Sequence, residues 1–419
     1  MNTPIASIQE DSLTRLLVPR FLTYVKLASP SDRHAGGTPS TPEQWDLARL
    51  LAQELRDLGL SQVELTAHCY VIARIPATPG RETAPGIGFL AHMDVSPDAP
   101  GRNVAPVLVE RYDGKPISLA DGLSLDPATD PELSAQKGQA IIHTDGRTLL
   151  GADDKAGVAE IMAAAEYLLT NPDIVHGPLE IIFTPDEEIG AGLAEFPLES
   201  IRSVVCYTLD GGPAGEFEAE CFNAYEALVA FKGRSIHPGT ARGKLLNAVT
   251  MAAVFTAMLP RNESPEAADG RYGFYCPSEI RGGHEEASLE LIIRDFDMAQ
   301  VTRRLAALDA FARAVEAQFP GGEITVKVNP QYYNMRDKIE ARPEVLDKLS
   351  AAAENLGIPF HFTPIRGGTD GSRLTELGIP TPNIFTGGNN FHSRTEWLAV
   401  SGMVSACRMI LELVRLWGL

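Results

Sequence analysis

Up to residue 222 the apolar positions come in short unbroken runs separated by helical stripes, the rhythm of buried strands alternating with helices. One run closes on Ala91-His92-Met93-Asp94, a second over 179–184 leads to Pro185-Asp186-Glu187-Glu188, and a third over 204–209 leads to Asp210-Gly211-Gly212. A helix is predicted over 155–169. Upstream, Leu47, Leu50, Leu51, Leu55 and Leu58 form a helical stripe that Gly59 ends, and Thr41, Pro42 and Gln44 predict its start as a capping box. The pattern over 63–75 reads as one strand, 76–86 as a turn, and 141–143 with 148–150 as the limbs of a hairpin whose tip is 144–147. Strands alternating with helices predict a largely parallel α/β sheet.

After residue 222 the rhythm changes. Strands are predicted over 224–232, 288–295 and 324–328 and helices over 246–258 and 299–319, with an irregular Pro/Gly-containing stretch in between. That order indicates helices packed on an antiparallel sheet, close to a split βαβ unit. From Tyr332 onward helix, strand and loop return, with helices over 343–356 and 402–417. The expected plan is one discontinuous α/β domain, 1–222 and 332–419, with a smaller domain, 223–331, inserted into it.

Length agrees with this plan, since 419 residues are many for a single core. Charge narrows the partners: 36 Lys+Arg against 55 Asp+Glu give a formal charge of -19. This argues against nucleic acid or an anionic membrane as the main partner, because both require a basic face. No apolar run is long enough to span a bilayer, and the start of the chain, with Glu10 and Asp11, lacks a signal pattern. Cys69, Cys206, Cys221, Cys276 and Cys407 are odd in number and scattered without a C-x-x-C. They read as reduced thiols of a cytoplasmic protein, not as zinc thiolates.

The candidate chemistry lies where predicted strands end. His92-Met93-Asp94, Asp153-Asp154-Lys155, Asp186-Glu187-Glu188, Asp210-Gly211-Gly212 and Phe391-His392-Ser393 all carry metal-capable side chains at strand ends or in the loops after them. In an open α/β sheet such loops gather in one crevice. His92 and Asp94 share a strand face, which suits a ligand with an acidic partner that fixes its tautomer. Two divalent cations would be neutralised by Asp153, Glu188, Asp210 and one bridging hydroxide, with His92 and His392 uncharged. Without cations, the same carboxylates would repel one another. Glu187 and Glu188 are neighbours, so their side chains diverge. One can bind metal while the other acts as general base. We assign the base to Glu187 and the ligand to Glu188, an order the sequence alone leaves open. Asp153 and Asp154 also suit a helix start, where acids complement the dipole.

Eight motifs carry a family resemblance: GFLAHMDVSPD at 88–98, LLGADDKAGVAEIM at 149–162, TPDEEIG at 184–190, HPGTA at 237–241, IIRDFD at 292–297, YYNMRDK at 332–338, IRGGTDG at 365–371 and NIFTGGNNFH at 383–392. Through them the chain resembles the peptidase T family of aminotripeptidases, within the co-catalytic zinc peptidase superfamily. The resemblance implies an α/β, zinc-dependent exopeptidase-like catalytic domain with a mixed, largely parallel sheet, plus an inserted α+β lid domain of ferredoxin-like type. It implies two Zn²⁺, replaceable by Co or Mn, with His92 and Asp210 on one, Glu188 and His392 on the other, and Asp153 bridging. Asp94 would orient His92, Glu187 would be the base, and His237 would stabilise the oxyanion. Arg294, Asn247, Arg366, Gly368 and Thr369 would touch substrate. The expected activity is removal of the N-terminal residue from tripeptides by a metal-bridging water, in a cytoplasmic monomer or homodimer with no nucleic-acid or membrane partner. The alternatives are a dipeptidase or N-acyl amino acid deacylase of the same superfamily, and an inactive peptide-binding homologue.

Overall fold

A computed structural model describes residues 4–419. The chain folds as two compact units. One comprises the chain up to Ala219 with Met335–Thr363 and Thr369–Leu419, and the other Glu220–Asn334 with Pro364–Gly368. No helix among the described residues is long and apolar enough to cross a membrane.

The first unit is built on an eight-stranded mixed sheet. Its strands run Val63–Leu65, Val71–Ile75, Leu179–Thr184, Ile87–His92, Val205–Gly211, Asn383–Phe385, Glu216–Glu218 and His361–Phe362 across the sheet. The four middle strands, Leu179–Thr184 to Asn383–Phe385, are mutually parallel. Leu179–Thr184 and Ile87–His92 are buried at every residue, as strands covered on both faces must be. Parallel register brings their C-terminal ends to one edge: His92 pairs with Thr184, and Ile384 with Leu209, next to Asp210. The helix Ala152–Thr170 packs on these strands and on the helices Glu10–Tyr24 and Val400–Trp417. Gly157 allows that approach, since a Cβ there would stand 2.0 Å from the Leu209 carbonyl oxygen.

A separate antiparallel sheet orders Gly388–Asn389, Trp397–Ala399, Ile141–His143 and Val107–Val109. It pairs Trp397 with His143, bringing the chain just beyond His392 beside the segment that leads to Asp153. Three local expectations fail here. Residues 148–150 form no strand, so Ile141–His143 finds its partners in Trp397–Ala399 and Val107–Val109 instead of a local hairpin. The stretch 63–75 is two antiparallel strands, because Cys69 turns the chain at φ 68°. There is also no capping box at Gln44–Asp57: Glu43 takes the cap position without a side-chain bond, Thr41 donates to the Pro30 carbonyl, and Gln44 donates to Asp186.

The second unit runs strand, helix, strand, strand, helix, strand: Asn223–Lys232, Ala248–Met258, Phe274–Gly282, Glu286–Asp295, Met298–Gln318, Glu323–Tyr332. Its sheet is antiparallel, with Phe274–Gly282 and Glu323–Tyr332 at the edges, which is the ferredoxin-like order. Glu286–Asp295 alternates between buried and more exposed residues, as a sheet with one covered face requires. Sequence pattern missed Phe274–Gly282, which is largely exposed, contains Pro277 and bulges after it, all features of an edge strand.

Glu160 contradicts the apolar rule of the first core. It is fully buried on the Ala152–Thr170 helix, and neither carboxyl oxygen has a hydrogen-bond partner among the described residues. Burial pushes its pKa well above the ordinary carboxyl value. The folded state therefore keeps a proton that the unfolded chain releases, and stability is lost as pH rises from the unfolded value upward. Glu160→Met should stabilise the protein by about 1–3 kcal/mol near neutral pH. The gain should shrink towards pH of about 4.3, where the unfolded carboxyl is also protonated. Denaturant unfolding at the two pH values checks both size and sign.

Candidate metal centre

The parallel strands deliver the centre. His92 is the last residue of Ile87–His92 and is buried, with Nε2 2.8 Å from Asp153 Oδ1 and 3.5 Å from Asp210 Oδ1. Its other nitrogen, Nδ1, faces Asp94, 3.0 Å from the backbone carbonyl and 3.4 Å from Oδ1. The Asp94 carboxylate is itself fixed, accepting the backbone N–H of Glu187 (3.0 Å) and of Glu188 (3.2 Å). Asp94 thus meets the histidine ring through its backbone carbonyl, while its carboxylate holds the turn that carries both glutamates. The same turn is anchored behind by Asp186, at φ 58°, which accepts from Ser40 and Gln44.

On the other side, His392 Nε2 lies 3.2 Å from Asp153 Oδ2 and 2.9 Å from Glu188 Oε2. His392 also has a left-handed backbone, φ 58°, a conformation that costs a non-glycine residue about 1–3 kcal/mol. The turn after it is held by the Ser393 hydroxyl, which donates to Asn390 O at 2.7 Å, and by the Thr395 N–H, which donates to that hydroxyl. The structure therefore gathers two donor sets, His92 with Asp153 and Asp210, and Asp153 with Glu188 and His392. Within each set the potential ligand atoms lie within 4.8 Å of one another. Asp153 is the one residue common to both sets, and it offers a different oxygen to each histidine.

Electrostatics here demand positive charge. Burial opposes protonation of His92, but Asp210, Asp153 and Asp94 outweigh it and push its pKa well up. Hydrogen bonds to Asp153 and Glu188 raise His392 to about 11. Burial and repulsion from Asp153 carry Glu188 to about 8, and burial carries Asp210 to about 6. Asp153 is held low because its bonds to His392 and His92 overcome its burial. The Glu188 Oε1 atom is buried and has no partner among the described residues. Two imidazoles, three carboxylates and an orphaned carboxylate oxygen form a donor set suited to divalent cations. Glu187 differs from its neighbour, since its carboxyl makes no hydrogen bond among the described residues and belongs to neither set. Burial, then Asp210, Asp370 and Glu188, raise its pKa well above the carboxylate range.

Of the remaining expected residues, Thr369 lies in the first unit, where it caps Asp370–Glu376 and bonds Asn383. His237, Asn247, Arg294, Arg366 and Gly368 lie in the second. The exposed His237 accepts the Gly239 N–H on Nδ1, which leaves the ring proton on Nε2. Asn247 caps Ala248–Met258. Arg294 donates to the Tyr225 and Ile293 carbonyls and to Gln331. Arg366 donates to the carbonyls of Gly270, Tyr272 and Ala268, so most of its guanidinium is committed to its own fold. Gly368 lies against Tyr332, where a Cβ would come within 2.6 Å of the ring.

Sequence reasoning missed Glu396. Glu396 is buried and accepts the backbone N–H groups of Leu150, Gly151 and Asp153. Its one signal was an acid placed directly before the apolar run Trp397-Leu398-Ala399-Val400. Asp370, in the IRGGTDG motif, is buried with an Oδ2 that has no partner among the described residues, and burial raises its pKa to about 7.

Residues 141–416 match Peptidase family M20/M25/M40. Peptidase T of Geobacillus sp. (strain WCH70) is 46% identical over 403 residues, covering 96% of this chain and 98% of its own. Peptidase T of Listeria monocytogenes serotype 4a is also 46% identical over the same shares. Among solved structures, aminopeptidase PepT from Bacillus cereus superposes with a TM-score of 0.72 at 23% identity, covering 96% of this chain and 98% of its own. A tripeptidase from Staphylococcus aureus gives 0.75 at 21% identity, with coverage of 97% and 98%. The chain belongs to peptidase family M20/M25/M40 and, within it, to the peptidase T group.

Proposed function

We propose that this protein is a cytoplasmic two-metal aminopeptidase that hydrolyses the N-terminal peptide bond of tripeptides. The observation that carries the reading is the pair of donor sets sharing Asp153, with the unengaged carboxyl of Glu187 next to them in sequence. Membership of the peptidase T group supports peptides as substrates, and the Staphylococcus tripeptidase of the same fold supports tripeptides. Five free, mostly buried thiols support a reducing compartment.

His92, Asp153 and Asp210 would hold one divalent cation, and Asp153, Glu188 and His392 the other. Mixed nitrogen and oxygen donors favour Zn²⁺, with Co²⁺ or Mn²⁺ as substitutes. When bound, the pair would lower the pKa of a water held between them and polarise the scissile carbonyl. Glu187 takes the proton of the attacking water and passes it to the leaving amine. Asp94 presents Nε2 of His92 by fixing Nδ1. His237 supplies an Nε2–H donor for developing oxyanion charge. Substrate contacts are assigned to Asn247, Arg294, Arg366, Gly368 and Thr369. Of these, Asn247 keeps its amide N–H groups unengaged, and Arg294 and Arg366 keep Nε, among the described residues.

A tripeptide, its N-acetylated form and the matching dipeptide discriminate the readings. The free tripeptide should be cleaved about 10²-fold or more faster than the acetylated one, because the site must read the α-amino group. Release of the N-terminal amino acid measures this. Equal rates on the acetylated peptide would indicate a deacylase, and a preference for the dipeptide would indicate a dipeptidase.

A further inference from the structure

We propose that Glu396 is a positioning residue for the metal pair, clamping the loop that carries Asp153 to the segment that carries His392. The proposal rests on reading Asp153 as the ligand common to both cations. Glu396 is 2% exposed, and both of its carboxylate oxygens accept hydrogen bonds. Oε2 accepts the N–H of Leu150 at 2.7 Å and of Gly151 at 2.8 Å, and Oε1 accepts the N–H of Asp153 at 3.1 Å. Three N–H groups within four residues wrapped around one anion form a backbone nest, and each bond is charge-assisted. The clamp bridges 243 positions of sequence. At its other end, the Glu396 N–H donates to the Ser393 carbonyl in the turn after His392, and Trp397 is paired with His143.

The consequence concerns direction. Asp153 must send Oδ1 toward His92 and Oδ2 toward His392, at 2.8 and 3.2 Å. A loop free to rotate would satisfy one histidine at the expense of the other. Glu396 removes that freedom by fixing the Asp153 peptide N–H, while both of its oxygens accept backbone N–H groups and it belongs to neither donor set. It acts on the ligand and not on the ion, and it is in place before a cation arrives.

Glu396→Gln isolates the effect. The amide oxygen can keep the Leu150 and Gly151 bonds, while its NH₂ then opposes the Asp153 N–H, so the defect falls on Asp153. The cation-free protein is titrated with Co²⁺ and followed by calorimetry and by the visible cobalt bands. Thermal unfolding of the cation-free form is recorded alongside. Wild type should take up two Co²⁺, and Glu396→Gln should bind them about 10–100-fold more weakly with altered bands. Trp397→Phe, which loses the indole bond to Asp130 and part of a buried ring while keeping the backbone pairing with His143, serves as a destabilised control and should bind like wild type. Co²⁺ affinity of Glu396→Gln within about twofold of wild type, or an equal loss in Trp397→Phe, would overturn the clamp. A second measurement needs no variant. In cation-free wild type, the amides of Leu150, Gly151 and Asp153 should be protected from hydrogen exchange, and free-loop exchange rates would overturn the proposal. Wild type that takes up no pair of Co²⁺ would instead overturn the metal reading beneath it.

Discussion

Glu187→Gln should lower kcat on a tripeptide by about 10²–10⁴-fold while leaving metal content and KM close to wild type. Glutamine keeps the shape of the side chain but can neither accept a proton from water nor deliver one to an amine. The backbone of Glu187 is fixed by Asp94, so the substitution should not move the turn. Its carboxyl lies outside both donor sets, so no ligand is lost. The adjacent residue makes the test sharp. Glu188 bonds His392 and repels Asp153, and its loss should be read as lost metal, not as lost proton transfer. Steady-state kinetics paired with metal analysis separates the two glutamates. Wild-type kcat in Glu187→Gln would show that the base lies elsewhere.

Asp153→Asn should release both cations together and reduce activity to that of chelator-treated wild type, a loss of about 10³-fold or more, since water pKa returns from about 7 toward 15.7. Asparagine preserves volume but offers one acceptor oxygen where the structure uses two, one toward each histidine. Its NH₂ would also face one imidazole. Because Asp153 alone is common to both sets, no other single ligand substitution should empty both positions. Equilibrium dialysis with Zn²⁺ reads this directly, and retention of one tight ion would contradict a shared role.

Both effects trace back to residues visible in the sequence, because a parallel sheet turns order along the chain into convergence in space. Buried runs ending at His92, Thr184 and Leu209 place their successors on one edge, so the ligand candidates were legible once the strands were. The ferredoxin-like unit was legible wherever one face is covered, as in Glu286–Asp295, and illegible at its edge, where Phe274–Gly282 buries little. The supporting shell was hidden for a different reason. Gln44 looked like part of a helix cap, yet its amide holds Asp186 from 142 positions away. Glu396 offers only the weak signal of an acid before an apolar run, because its partners are backbone N–H groups that any residue type would supply. Arg366 shows a further limit of sequence reading: it stands in a conspicuous Gly-rich motif, and only the structure shows that its NH1 and NH2 groups also bond carbonyls of its own unit.

Anomalous diffraction from crystals of the zinc-loaded protein tests the central claim most directly. The account predicts two peaks about 3.5–4 Å apart, one against His92, Asp153 and Asp210 and one against Asp153, Glu188 and His392. A single peak, or peaks away from Asp153, would contradict it.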